Sequence, residues 1–134
     1  MSGMICYIGL GSNLGDSLKY CKLAIESISK INGIEVSRIS SFYKTEPVGI
    51  EDQNICVNAV VEIKTILSAG NLFKCLQNIE KEMGRKRAIK GGPRIIDLDL
   101  LFYGQDVIQK SDLIIPHPEI QNRRFVLEPL CEIA

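Results

Sequence analysis

Asp97 and Asp99 stand two positions apart inside an otherwise apolar stretch, Gly92-Pro-Arg-Ile-Ile-Asp-Leu-Asp-Leu-Leu-Phe-Tyr-Gly104. The stretch reads as one strand, opened by Gly92-Pro93 and closed by Gly104. Strand side chains alternate between faces, so the two carboxylates share one face, roughly 7 Å apart at ~3.3 Å per residue. Ile96, Leu98 and Leu100 form the other side, which suits a core. Two carboxylates on one face repel unless cations or donors sit nearby. Hard Mg²⁺ takes oxygen ligands and commonly binds through one or two carboxylates plus substrate phosphates, which is chemistry this pair can do. A solvated strand face, with Arg94 as a partial counter-ion, is the alternative that spacing alone leaves open. Directly upstream, Lys81, Arg85, Lys86, Arg87, Lys90 and Arg94 face a single acid, Glu82. A polyanion with a metal suits this neighbourhood; taken alone, the run reads as a solvated basic loop.

The elements that must position these groups come from a chain of 134 residues, a length that fits one domain, 1–134, with one core. Lys plus Arg and Asp plus Glu number 16 each, so the net charge is zero. A general nucleic-acid or membrane binder would be more basic; the local basic run points to a small anionic ligand. The five cysteines, at 6, 21, 56, 75 and 131, follow no zinc or redox spacing. They read as reduced thiols of a cytosolic protein. No signal peptide and no apolar run near 18 residues is present in the sequence.

In chain order, Met4 to Ile8 reads as a buried strand, and Gly9-Leu-Gly-Ser-Asn-Leu-Gly15 as a tight turn into a helix. That helix runs from Asp16 to about Ile31, with Leu18, Cys21, Ile25 and Ile28 in one stripe. Ile34 to Lys44 is strand-like, and Thr45 to Asn54 is a loop broken by Pro47 and Gly49. Cys56 to Lys64 alternates cleanly: Val57, Ala59, Val61 and Ile63 face the core, while Cys56, Asn58, Val60 and Glu62 face away. Ser68 is placed as N-cap of a second helix carrying Leu72, Leu76, Ile79 and Met83, stopped by Gly84. Gln77 and Glu80 flank that stripe. Beyond Gly104, residues 106–108 and 113–115 read as a small hairpin, Pro116-His117-Pro118 as a rigid turn, and Phe125 onward as a helix.

The order β-α-β-β-α-β predicts an α+β protein, a ferredoxin-like sandwich. Its four-stranded antiparallel sheet has both helices on one face, with an extra hairpin and a short C-terminal helix. The first strand and the strand from Cys56 lie centrally, and the aspartate strand lies at an edge. The other sheet face is expected to stay open, with Asn58, Asp97 and Asp99 on it.

The aspartate motif resembles that of the 6-hydroxymethyl-7,8-dihydropterin pyrophosphokinase family. So do Ile115-Pro-His-Pro, Arg123-Arg-Phe-Val-Leu-Glu-Pro-Leu-Cys-Glu-Ile-Ala134, Ser41-Phe-Tyr-Lys-Thr-Glu-Pro-Val-Gly49, Val57-Asn-Ala59 and Gly9-Leu-Gly-Ser-Asn13. The resemblance spans essentially the whole chain. It implies a folate-pathway enzyme that moves a pyrophosphoryl group from ATP to the pterin hydroxymethyl, by attack on the β-phosphorus, with release of AMP. It implies two Mg²⁺ ions on Asp97 and Asp99, with Asp97 as proton acceptor. By the same resemblance Arg85 and Arg94 meet the charge that develops on the transferred group. Arg87, His117 and Arg123 contact ATP phosphates, and Gln77 and Glu80 line the nucleotide side. Thr45, Val48 and Asn58 match pterin positions, and Phe125 stacks on the ring. Taken alone, His117 reads as a surface-turn histidine and Phe125 as core packing.

The chain departs from many relatives at Cys56, where they place an aromatic across the pterin from Phe125. It carries Gly91-Gly92 and a shorter loop where many have Arg-Trp, and Asp112 and Ile114 where some have basic and hydroxyl groups. These differences bear on pterin and ATP contacts rather than on the reaction. Relatives usually run on past the position of Ala134. A trimmed chain, a short natural form and one domain of a fused folate enzyme all fit. The loop 85–92 is expected to close over bound phosphates. Two rivals share the topology. An RNA-binding domain would stack bases on strand aromatics, which Cys56-Val-Asn-Ala-Val60 does not offer; an effector-binding regulatory domain would not need paired carboxylates beside a basic loop.

Overall fold

The computed structural model describes residues 3–12, 16–45, 56–85, 95–118 and 124–134. Its elements are β1 (Met4–Ser12), α1 (Ser17–Ser29), β2 (Ile34–Ile39), β3 (Tyr43–Thr45), β4 (Cys56–Thr65), α2 (Ala69–Arg85), β5 (Asp97–Tyr103), β6 (Ile108–Gln109), β7 (Ile114–Ile115) and α3 (Arg124–Ile133). The main sheet is antiparallel in the order β2-β4-β1-β5, with β3 also paired to β4; β6 and β7 form a separate hairpin. This is the ferredoxin-like α+β arrangement that the element order predicts, with β1 and β4 central and the aspartate strand at an edge.

Both long helices cover one sheet face. The α1 stripe of Cys21, Ala24, Ile25 and Ile28, and the α2 stripe of Leu72, Leu76 and Ile79, pack on Cys6, Ile8, Leu10, Val57, Val61, Ile63, Leu98 and Leu100. Burying each Leu or Ile side chain fully contributes roughly 1.5–3 kcal/mol. The Asp16 carboxylate caps α1 by accepting from the Lys19 N–H at 3.4 Å, and the Ser68 hydroxyl accepts from the Asn71 N–H at 3.2 Å at the start of α2. Burial pushes the Cys6 and Cys21 thiols up to about 12, so both stay neutral in the core. Among the described residues, no helix is long and apolar enough to cross a membrane.

Several boundaries differ from those read off the pattern. β1 runs on through Gly9 and Gly11 to Ser12 instead of turning at Gly9. The strand expected over residues 34–44 is broken into β2 and β3. Its pairing with β4 shifts between Val36 and Arg38, and Ser40 then takes over the ladder. The Ser40 N–H donates to the Val60 carbonyl, and the Ser40 hydroxyl oxygen accepts from the Val60 N–H, both at 2.9 Å. α2 passes through Gly84 to Arg85; one glycine costs about 1 kcal/mol, too little to end a helix docked by its apolar stripe. β5 begins at Asp97, preceded by buried Ile95 and Ile96 outside the strand.

The second sheet face is not left open along its whole length. Leu130 and Ile133 of α3 pack on Val60 and Leu101, with Tyr7 and Phe102 at the margin. A bulge adds to this contact: Tyr7 pairs with Phe102 and Ile8 with Leu100, so the extra residue Leu101 and its neighbour Phe102 both reach this face. Val60 had the pattern of an outward position and is buried because a third helix covers it.

Under α3 lies a polar group, Glu62. It accepts from the Tyr7 hydroxyl at 2.6 Å and from the Ser37 hydroxyl at 2.9 Å, and lies 3.9 Å from Arg38 Nε. The Tyr7 hydrogen bond is the largest cause holding the Glu62 carboxyl below its ordinary 4.5. A carboxyl depressed on folding stabilises the fold above its unfolded pKa, and that contribution is lost as pH falls through the folded value. Thermal stability is therefore expected to fall as pH drops below about 4.5, more steeply in the native chain than in Tyr7→Phe. Melting curves of both proteins between about pH 6 and 3 check this; parallel curves would show that Glu62 is not part of the acid transition.

Candidate active site

Directly paired residues of antiparallel strands share a face. Asn58 of β4 pairs with Gly11 of β1, and Gly11 pairs with Asp97 of β5. On the outer side Asn58 pairs with Tyr43 of β3. The next row joins Val60, Gly9 and Asp99. At ~4.8 Å per strand, Asn58 and Asp97 sit roughly 10 Å apart across the sheet, with glycine between them. Thr45 pairs with the half-buried Cys56 one row further on. Thr45, Cys56 and Asn58 therefore lie on one flank of this face, and Asp97 and Asp99 on the other.

Gly9 and Gly11 read in the sequence as a turn, and the structure instead places them in β1 between Asn58 and the aspartates. A Cβ built on Gly11 would lie 2.8 Å from Asn58 Oδ1. The Asn58 amide thus leans over β1 into space that only glycine leaves free. The signal was present as alternation: Ile8 and Leu10 are buried on the core face, so the two glycines fall together on the other.

β5 is an edge strand, yet its backbone is tethered at three points around the aspartates. The Ser12 hydroxyl donates to the Ile95 carbonyl at 2.6 Å. The Leu98 N–H donates to Glu80 Oε2 at 2.9 Å. The His117 N–H donates to the Leu101 carbonyl at 3.0 Å. Asp97 is exposed and Asp99 is half-buried, with His117 Nε2 3.7 Å from Asp99 Oδ1. From Asp99 and His117 a cleft of about 210 Å³ opens between Phe73, Leu100, Leu113 and Ile114, with Ser111, Asp112 and Pro118 completing its wall.

The structure thus sets Asp97 and Asp99 on one face, brings Asp99 to His117, and sets Asn58, Cys56 and Thr45 across the glycine floor. Glu80 is placed against the β5 backbone between the two aspartates. Gln77 is exposed on α2 and is not among the residues lining the cleft. Arg85 and Phe125 are placed by their backbones, at the end of α2 and in the first turn of α3. Val48, Arg87, Arg94 and Arg123 lie outside the described residues, as does most of the loop 85–92. Among the described residues, no group of three His, Cys, Asp or Glu side chains gathers to hold a metal. Two carboxylates on one accessible face still fit a hard divalent ion, which completes its shell with water and phosphate oxygens.

Fold and site together define a ferredoxin-like enzyme scaffold whose second face carries paired carboxylates beside a cleft. The profile of the 7,8-dihydro-6-hydroxymethylpterin-pyrophosphokinase family matches residues 7–134. The chain is 45% identical over 130 residues to the 2-amino-4-hydroxy-6-hydroxymethyldihydropteridine pyrophosphokinase of Bacillus subtilis, covering 97% of this chain and 78% of that one. It is 46% identical over 128 residues to the protein of the same name from Haemophilus influenzae, covering 96% and 80%. It is 48% identical over 128 residues to the Folic acid synthesis protein fol1 of Pneumocystis carinii, covering 96% of this chain and 17% of that longer one. The chain belongs to the 7,8-dihydro-6-hydroxymethylpterin-pyrophosphokinase family.

Proposed function

We propose that this protein transfers a pyrophosphoryl group from ATP to the hydroxymethyl oxygen of 6-hydroxymethyl-7,8-dihydropterin in folate biosynthesis. The observation that carries the reading is the placement of Asp97 and Asp99 on one face of a tethered edge strand. Asp99 lines the cleft at His117, and both stand across the Gly9–Gly11 floor from Asn58. The pterin lies on the Asn58 flank. The Asn58 amide offers a donor and an acceptor to its polar edge, and Thr45, Val48, Cys56 and Phe125 bound the ring. ATP lies on the cleft side, its phosphates toward Asp97 and Asp99. His117, Arg87 and Arg123 bind those phosphates, Gln77 flanks the nucleotide, and Glu80 serves the same side through the strand it holds.

The hydroxymethyl oxygen bonds to the β-phosphorus, the bond from that phosphorus to the α,β-bridging oxygen breaks, and AMP leaves. The hydroxyl proton passes to Asp97. Arg85 and Arg94 meet the charge on the transferred group. Two Mg²⁺ ions, held by Asp97 and Asp99 when bound, supply charge neutralisation on the phosphates and acidify the hydroxyl. The 134 residues act as one domain on small molecules in the cytosol, where five thiols stay reduced. In longer relatives the matching region stands beside other sequence.

The test is AMP release from ATP and the pterin alcohol with Mg²⁺, one AMP for each pterin diphosphate formed. Release of ADP, or no pterin-dependent AMP, would overturn the reading.

A further inference from the structure

Glu132 closes a hydrogen-bond cluster that the proposed chemistry does not use. Its carboxylate accepts from the Ser41 N–H at 3.1 Å, from the Ser41 hydroxyl at 2.9 Å and from the Tyr43 hydroxyl at 2.8 Å. Next to it, the Ile133 carbonyl accepts from Arg38 Nη1 at 3.3 Å. All these donors belong to residues 38–43, where the outer strand breaks into β2 and β3. Ser40 fills the ladder to Val60, so the Ser41 N–H turns away from β4 and meets Glu132. The end of α3 is therefore fastened to the start of β3 by an anion with three donors.

Both fastened elements carry residues assigned above to the pterin. β3 pairs Tyr43 with Asn58 and Thr45 with Cys56, so whatever fixes Tyr43 fixes the Thr45 side of the slot. Phe125 lies two helical turns before Glu132 on α3, about 10.5 Å along the axis. Pro129 stands between them and lacks the N–H that would reach the Phe125 carbonyl, so the helix itself is less tightly bonded at that turn. The cleft on the ATP side is built from α2, β5 and the β6–β7 segment, none of which bonds to Glu132.

We infer that Glu132 is a positioning residue for the pterin half of the site: by tying α3 to Ser41 and Tyr43 it sets the spacing between Phe125 and the Thr45–Cys56–Asn58 flank. The inference rests on the pyrophosphokinase reading.

Steady-state kinetics of the full chain test it, with Glu132→Gln and Tyr43→Phe. Glutamine turns an amide donor toward groups that need acceptors. It is expected to raise the pterin KM by about five- to tenfold, the size of one lost ordinary hydrogen bond, since the Glu132 side chain is solvent-exposed. The ATP KM should stay within about twofold. Tyr43→Phe should shift the pterin KM in the same direction by less, and the two shifts should not multiply in the double variant. An unchanged pterin KM in Glu132→Gln, or an equal rise in both KM values, would overturn the inference while leaving the enzyme reading intact. A native chain without pterin-dependent AMP release would overturn both. If Glu132→Gln does not fold, Tyr43→Phe, which removes one donor only, decides by the same split.

Discussion

Asp97→Asn and Asp99→Asn are each expected to lower turnover by roughly 10²–10³-fold or more, the scale of losing one preorganised electrostatic partner of a developing charge, and to leave the fold intact. The two effects separate because the carboxylates and the packing use different parts of β5. Leu98 and Leu100 are buried on the helix side. The strand's backbone is held by Ser12, Glu80 and the His117 N–H. Asparagine keeps the shape of the side chain while the packing face of the strand is unchanged, so the melting temperature should change little. Turnover against Mg²⁺ concentration, with thermal melts, checks both halves. Near-native activity in either variant, with native stability, would remove these residues from the chemistry.

Gly11→Ala is expected to raise the pterin KM by about tenfold or more, with little loss of stability. The new Cβ would stand 2.8 Å from Asn58 Oδ1, closer than such contacts allow. The atom it meets is the end of a side chain, so relief is cheap: the Asn58 amide swings off the glycine floor. That movement removes a paired polar group from the pterin edge, a loss that a buried polar ligand feels at roughly 1–3 kcal/mol. In an Asn58→Ala background the same substitution should cost nothing further. A Gly11→Ala enzyme with native pterin KM would mean that Asn58 does not read the pterin from this position.

The alternation of residues 96–100 was sufficient to put Asp97 and Asp99 on one face and their apolar neighbours in the core, because strand facing depends only on a two-residue period. The stripes of α1 and α2, the capping of α2 by Ser68, and the βαββαβ order are local in the same sense, and each was legible without coordinates. The motif around Asp97, with Ile115 to Pro118 and Arg123 onward, pointed to the family that the comparisons assign.

What the sequence could not decide concerns residues far apart along the chain. Gly9 and Gly11 looked like a turn because glycine is the ordinary turn residue. Only the pairing of β1 with both β4 and β5 makes them the floor between Asn58 and Asp97. Val60 alternated like a solvent position and is buried because α3 covers it, a contact between elements that no period encodes. Glu80 read as flanking the α2 stripe and, by the resemblance, as lining the nucleotide side, and Glu132 carried no reading of its own; strand register decided that one meets the Leu98 N–H and the other Ser41 and Tyr43. Periodicity is a property of neighbours, while register is settled by the free energy of the whole sheet. The carboxylate pair therefore belongs to the sequence, and the surface that faces it belongs to the tertiary structure.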